Sequence, residues 1–189
     1  MAKLGHILSQ HVYDLVGRAL TVSPYNYFEI GVFNGAGFAM TAEVFPDTQC
    51  YAVDPFIEDG NTIAVSRVSP GTDMQSQKDS AFAHIKDYPN ASITVATSHA
   101  FKEALTQEQI DKLNIGTVLI DGNHAYEFVV NDYQLSLQLI GNKEGYVIFD
   151  DTNMPSVKRA FEEFESANAD RIISTDSNGP GILVKLRAI

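Results

Sequence analysis

The apolar positions of this chain fall into two rhythms, helical and extended, that alternate from one end to the other. Ile7, Val12, Leu15, Val16 and Leu20 recur near helical spacing and predict a leading helix over residues 6–20, which Pro24 breaks ahead of a strand, Tyr27-Phe28-Glu29-Ile30. Phe38, Met40, Ala42 and Phe45 predict a helix closed by Pro46-Asp47, and Cys50-Tyr51-Ala52-Val53 a second strand ending in Asp54. A helix over 77–88, a third strand Ile93-Thr94-Val95-Ala96, a helix over 101–113 and a strand Thr117-Val118-Leu119-Ile120, buried on both faces, follow. Tyr126, Val129, Val130, Tyr133, Leu137 and Ile140 mark the cleanest helix, flanked at its exit by Gly141 and Gly145 before a fifth strand, Tyr146-Val147-Ile148-Phe149. Pro155 suits the first turn of another helix with the stripe Val157, Ala160, Phe161 and Phe164. The chain closes on Arg171-Ile172-Ile173-Ser174, the turn Asn178-Gly179-Pro180-Gly181 and Ile182 to Leu186, an antiparallel hairpin on the edge of an otherwise parallel sheet. The pattern is that of an α/β domain.

Residues 57–76 depart from both rhythms. They are rich in Gly, Ser, Thr, Asn and Asp and longer than an ordinary connection, which reads as a lid loop. With 189 residues and 44% hydrophobic content the chain can bury a sizeable core in a single domain, 1–189. Its 24 acids against 13 bases leave a formal charge of -11, which disfavours a general phosphate-binding surface and so DNA or RNA. One cysteine, Cys50, falls in a buried strand, so no intramolecular disulfide forms. No apolar run is long enough for a membrane span and no signal-peptide core opens the chain, so a cytoplasmic location is expected, with assembly into a homo-oligomer left open.

The densest chemistry lies between Glu29 and Asp54. A strand runs into Gly31-Val32-Phe33-Asn34-Gly35-Ala36-Gly37, then a helix, then a second strand ending in an acid. Glycines let backbone approach a ligand at the carboxyl end of a strand, and an acid on the next strand can take two ribose hydroxyls. The glycine spacing is not that of the dinucleotide fingerprint, and an acid two residues before the first glycine suits a ligand with a cationic amino group better than a pyrophosphate. That points to S-adenosylmethionine.

Four segments in order, Phe28-Glu29-Ile30-Gly31 with Gly35, Val53-Asp54-Pro55-Phe56, Leu119-Ile120-Asp121-Gly122-Asn123-His124-Ala125-Tyr126 and Val147-Ile148-Phe149-Asp150-Asp151, resemble a class I S-adenosylmethionine-dependent methyltransferase over residues 25–187. Within it the chain is most similar to the small metal-dependent O-methyltransferase-like group whose fourth strand ends in Ile-Asp-Gly-X-His and whose fifth ends in Asp-Asp. The resemblance implies a Rossmann-like, seven-stranded, mostly parallel sheet with a C-terminal antiparallel hairpin and helices on both faces. It implies that Glu29 holds the methionine amino group, that Gly31 and Gly35 let the cofactor lie against the turn, that Asp54 takes the ribose, and that Phe56 and Ser98 or His99 border the adenine. Plainer alternatives stand beside these: Glu29 as a cap of the turn, Phe56 as core, Ser98 as a helix cap.

Asp121, Asp150 and Asp151 each follow a run of apolar strand residues, so the sheet would gather them at one rim. Converging carboxylates repel unless a cation lies among them, and such oxygen ligands suit Mg2+. In O-methyltransferases of similar sequence the ion binds the acceptor hydroxyl, and His124 fits the place of the base that takes its proton. Against this, Asp121 and Asn123 also have helix-capping chemistry. Asn123 stands where such sequences often carry another acid, and with no long extension at the start, 57–76 becomes the candidate lid. A small-molecule acceptor, a sugar or phenolic hydroxyl, is what the resemblance implies. A nicotinamide-dependent oxidoreductase and a non-catalytic module of the same fold are the alternatives. Glu162, Glu163 and Glu165 read as a solvated helix face, Tyr126 and Tyr133 as packing, and His6, His11 and His84 as surface residues without partners.

Overall fold

In the computed structural model, which describes residues 10–57 and 73–189, strands and helices alternate. They are α1 (Gln10–Val22), β1 (Asn26–Ile30), α2 (Ala36–Val44), β2 (Cys50–Asp54), α3 (Met74–Ile85), β3 (Ala91–Val95), α4 (Ser98–Ala104), α5 (Gln107–Leu113), β4 (Ile115–Ile120), α6 (Tyr126–Ile140), β5 (Gly145–Phe149), α7 (Pro155–Ala167), β6 (Ile172–Asn178) and β7 (Gly181–Leu186). The strands form one seven-stranded sheet in the order β3-β2-β1-β4-β5-β7-β6. Strands β1 to β5 pair in parallel, and β7 runs antiparallel to both β5 and β6.

Alternation along each strand divides the core into two layers, because successive strand side chains point to opposite faces. Tyr27, Ala52, Leu119 and Ile148 pack against Val12, Leu15, Val16 and Ala19 of α1 and Phe38, Ala39 and Ala42 of α2. Phe28, Ile30, Val118, Ile120, Val147 and Phe149 pack on the other face against Val129, Leu135 and Leu139 of α6 and Val157, Ala160 and Phe164 of α7. Each of the larger of these side chains contributes roughly 1.5–3 kcal/mol on leaving water. Glu29 lies between Phe28 and Ile30, so the pleat turns it toward the α1 layer.

The expected boundaries shift where capping chemistry overrides apolar spacing. Helix α3 starts at Met74 rather than 77 because the Asp73 side chain accepts the Gln75 and Ser76 amides. The helix expected over 101–113 is two, since Thr106 and Gln109 form a capping box that starts α5 anew after Leu105 turns extended. Of the lid expected over 57–76, residues 58–72 lie outside the described residues, as do residues 1–9 with His6. Among the described residues, no helix is long and apolar enough to cross a membrane.

Sheet order puts a crevice where the chain reverses direction: β1 leads outward to β2 and β3, and the chain then returns to lay β4 on the other side of β1. The hydrogen-bond ladder continues one residue past the strands, with Gly31 N–H on Val53 O, Asp121 N–H on Ile30 O and Asp150 N–H on Ile120 O. The residues that follow these strands therefore stand along a single rim.

Candidate functional site

At that rim the turn after β1 is a close fit between backbones. Gly31 has φ +86°, and a Cβ there would stand 2.3 Å from the Asp121 carbonyl oxygen; Gly35 has φ +77°, and its Cβ would meet Ala81 of α3 at 2.7 Å. Both glycines thus answer first to chain packing, and of the two only Gly31 lines the cleft. Asp54 braces the same turn: its Oδ2 accepts the Val32 and Phe33 amides at 2.8 and 3.1 Å, and its Oδ1 the Phe56 amide at 2.8 Å. Burial raises its carboxyl pKa, and the three amides pull it back.

Glu29 sits behind the turn, fully buried and away from the cleft lining. Tyr13 of α1 donates to its Oε1 at 2.9 Å and Tyr27 to its Oε2 at 2.7 Å. Burial is the largest cause holding its carboxyl up at about 8, against the lowering effect of the two hydroxyls. The ring of Tyr13 occupies the space a side chain at Gly37 would need, with its Cζ 2.2 Å from a Cβ built there. These contacts give Glu29 a partner in α1 that the glycine-turn motif did not reveal.

The cleft runs along the rim between Asp54, Thr97, Ser98, Asp121, Gly122 and Asp132, with apolar walls from Phe33, Val53, Ile57, Met74 and Phe128. Ser98 reaches it from the first turn of α4, but the cap of that helix is Thr97, which accepts the Ala100 amide. His99 is exposed and faces Asn131 and Glu103 rather than the cleft. Phe56, with φ +48°, belongs to the core beside Phe82, while its neighbours Pro55 and Ile57 face the cleft. Asp132 on α6 escaped the sequence reading altogether. It is 1% exposed, accepts from Ser98 Oγ, and has its carboxyl pKa raised to about 6, chiefly by burial.

The second group gathers past β4 and β5. His124 Nε2 lies 3.8 Å from Asp121 Oδ1 and 3.5 Å from Asp151 Oδ2, and one ligand atom from each of the three falls within 4.8 Å of the others. Desolvation pushes the Asp121 carboxyl up to about 6; His124 lowers it, and Asp150 and Asp151 raise it. Asp151 adopts φ +52°, a left-handed conformation that Asp tolerates better than most non-glycine residues. The acid expected as third partner, Asp150, is bound differently: its Oδ1 accepts the Asp151 amide at 2.7 Å and lies 2.9 Å from Nε2 of His11. His11 is therefore not a surface residue without partners, and neither is His84, whose Nδ1 meets Asn34 O at 2.9 Å. Asn123 has the local role its type suggests, accepting the Ala125 amide at 2.9 Å at the entry to α6. Glu163 is likewise more than a solvated acid, since it accepts from both Tyr126 and Tyr133 while Arg159 lies over the Tyr126 ring at 3.9 Å.

Comparison with known proteins bears on this geometry. A family profile described as "Methyltransferase domain" matches residues 28–152, from β1 through the turn after β5. An uncharacterized protein, R132, of Acanthamoeba polyphaga mimivirus is 26% identical over 143 residues, which make up 75% of this chain; the chain spans 58% of that relative's length. Among solved structures, the calicheamicin methyltransferase CalS11 superposes with a TM-score of 0.63 at 14% identity, covering 92% of this chain and 76% of CalS11. The O-methyltransferase NovP superposes with a TM-score of 0.59 at 17% identity, covering 95% and 77%. At such identities these structures speak for the fold alone. The profile covers well over half of the chain, from the glycine turn through the Asp150–Asp151 pair, and on that ground the chain belongs to the methyltransferase-domain family.

Proposed function

We propose that this chain is an S-adenosylmethionine-dependent methyltransferase acting on a hydroxyl oxygen of a small molecule, with a divalent cation, Mg2+ by preference, at the acceptor end. The observation that carries this reading is the row of carboxylates, Asp54, Asp132 and Asp121, along one cleft at the rim of a methyltransferase-family sheet. S-adenosylmethionine carries a sulfonium and an ammonium, and a unit charge about 4 Å from a carboxylate gains about 4 kcal/mol at an effective dielectric of 20. A dinucleotide would bring two phosphates to the same acids, so the nicotinamide alternative has no support here. Gly31, Asp54 and Ser98 line the cleft and are the residues we assign to cofactor contact. Glu29, Gly35 and Phe56 shape that surface from behind.

Chemistry at the acceptor end follows from the second group. As the acceptor oxygen attacks the methyl carbon, the carbon–sulfur bond breaks, its electron pair stays on sulfur, and S-adenosylhomocysteine leaves. We assign uptake of the hydroxyl proton to His124, whose Nε2 lies 3.8 Å from Asp121 and 3.5 Å from Asp151. Asp121 and Asp151, whose carboxylate oxygens lie with His124 within 4.8 Å of one another, would hold a divalent ion, with Asp150 beside them. Such an ion, when bound, lowers the pKa of an acceptor hydroxyl. A net charge of -11 favours a small acceptor over a polyanion.

Calorimetry with S-adenosylmethionine, S-adenosylhomocysteine and NAD tests the cofactor assignment. Binding of the first two in the micromolar range, on the order of -8 kcal/mol, with none of NAD, is the expected result. NAD binding alone would overturn it. Methyl transfer indifferent to chelator would remove the cation and leave the transferase.

A further inference from the structure

The turn after β1 is bent in a way that its side chains resist. Val32 to Gly35 close a four-residue turn, with the Gly35 amide on the Val32 carbonyl at 2.8 Å, and Phe33 takes the first central position at φ +50°. Glycine usually fills a place with positive φ, and a bulky residue adopts it only where its surroundings impose it. Phe33 is a wall of the cleft and 38% exposed, so core packing does little of the imposing.

Two hydrogen bonds do more, one on each side of the Phe33–Asn34 pair. Asp54 Oδ2 accepts the Phe33 amide at 3.1 Å and fixes the peptide before it. His84 of α3 fixes the peptide after it. Its Nδ1 lies 2.9 Å from the Asn34 carbonyl oxygen, and since a carbonyl only accepts, Nδ1 is the donor. Helix α3 is seated for this contact: Ala81, three residues earlier on the same helix face, lies so close to Gly35 that a Cβ there would stand 2.7 Å from Ala81 Cα. The same two elements bracket the second left-handed phenylalanine. Phe56, at φ +48°, gives its amide to Asp54 and sets its ring 6.5 Å from Phe82 of α3.

We propose that His84 is a positioning residue of the cofactor cleft, holding Phe33 in its left-handed turn through the Asn34 carbonyl. This rests on the cofactor reading above. Without the imidazole the Asn34–Gly35 peptide is free to rotate, and Phe33 relaxes toward negative φ and moves a wall of the cleft. A ligand would then have to restore the strained turn out of its own affinity.

Calorimetry with S-adenosylhomocysteine on the whole chain tests this. His84→Ala is expected to weaken binding about tenfold, the scale of one hydrogen bond. His84→Asn, whose amide can donate from nearly the place of Nδ1, is expected to restore affinity to within about threefold of wild type. The deciding arm repeats His84→Ala in Phe33→Gly protein. Glycine takes the left-handed conformation unaided, so there the loss of His84 should change affinity less than about twofold, whatever Phe33→Gly does by itself. Unchanged affinity in His84→Ala overturns the proposal, and so does a His84→Asn variant that fails to restore binding. An equal loss in both backgrounds means that His84 merely seats α3 and also overturns it, as would a His84→Ala variant that does not fold. Should Phe33→Gly protein bind too weakly to read, the contrast between His84→Ala and His84→Asn decides the matter. Failure of wild-type protein to bind S-adenosylhomocysteine would instead sink the cofactor assignment itself.

Discussion

Replacing Glu29 by Gln separates a buried anchor from a ligand-binding acid. The carboxyl is fully buried, bonded by Tyr13 and Tyr27, and raised from 4.5 to about 8. Between those values the native protein holds a proton that the unfolded chain has released. The native state therefore binds more protons, and stability falls as pH rises. At pH 7 the difference of 2.5 units, from 4.5 to 7 with the folded value above both, amounts to about 3 kcal/mol at 1.36 kcal/mol per unit. Gln has nearly the same shape and no proton to lose, and the tyrosine hydroxyls can rotate to accept from its amide. Urea unfolding of both proteins at pH 5, 6, 7 and 8 should show the variant gaining on wild type by about 1.4 kcal/mol per pH unit across this window. Asp132, raised to about 6, titrates in both proteins and cancels from the difference, whereas Asp121 and Glu29 repel each other and Asp121 contributes a smaller part of it. A difference that does not change with pH would refute the reasoning. A loss of S-adenosylhomocysteine affinity of about 30-fold or more in the variant would mean that Glu29 carries a charge toward the ligand after all.

The remaining expectations follow from the same contacts. Asp54→Ala orphans the amides of Val32, Phe33 and Phe56, so it should cost about 2–4 kcal/mol in urea unfolding as well as weaken S-adenosylhomocysteine at least tenfold; unchanged stability would contradict the bracing role. Mg2+ should raise the melting temperature of wild-type protein by mass action, and Asp151→Asn should abolish that response; an identical response in both would clear Asp151 of the ion. His124→Ala should lower turnover by roughly 100-fold while leaving cofactor affinity intact, and full activity in that variant would end its role as base. His11→Ala removes the partner of a carboxylate that is 2% exposed and should lower stability by about 1–3 kcal/mol, read by thermal melts; no change would mean that Asp150 finds another donor.

Elements written in local spacing were legible without coordinates. Strand β2 appears at Cys50–Asp54 as read, α6 at Tyr126–Ile140, and Pro155 opens α7, since each depends on a periodicity or cap within about a dozen residues. The edge hairpin was legible for the same reason, its turn residues lying beside its strands. Helix ends were not, because Asp73 and Thr106 set them by single hydrogen bonds that apolar spacing does not encode. His11 was misread because its partner, Asp150, lies 139 residues away. Asp132 stayed hidden because a polar residue within a helix looks solvated until the helix is docked on the sheet.

By itself the sequence determined the α/β order, the acids that end β2, β4 and β5, and the glycines that let the chain turn at the rim, all properties of residues close together in the chain. Only the tertiary structure decided which oxygen faces what. Parallel pairing sets β1 between β2 and β4, so that Gly31 lies against Asp121 and Asp54 holds the turn. Docking of α1 closes Tyr13 over Glu29 and His11 onto Asp150, and docking of α6 turns Asp132 into the cleft. The physical reason is that a buried carboxylate must find donors wherever packing brings them, and packing joins residues that no local pattern relates.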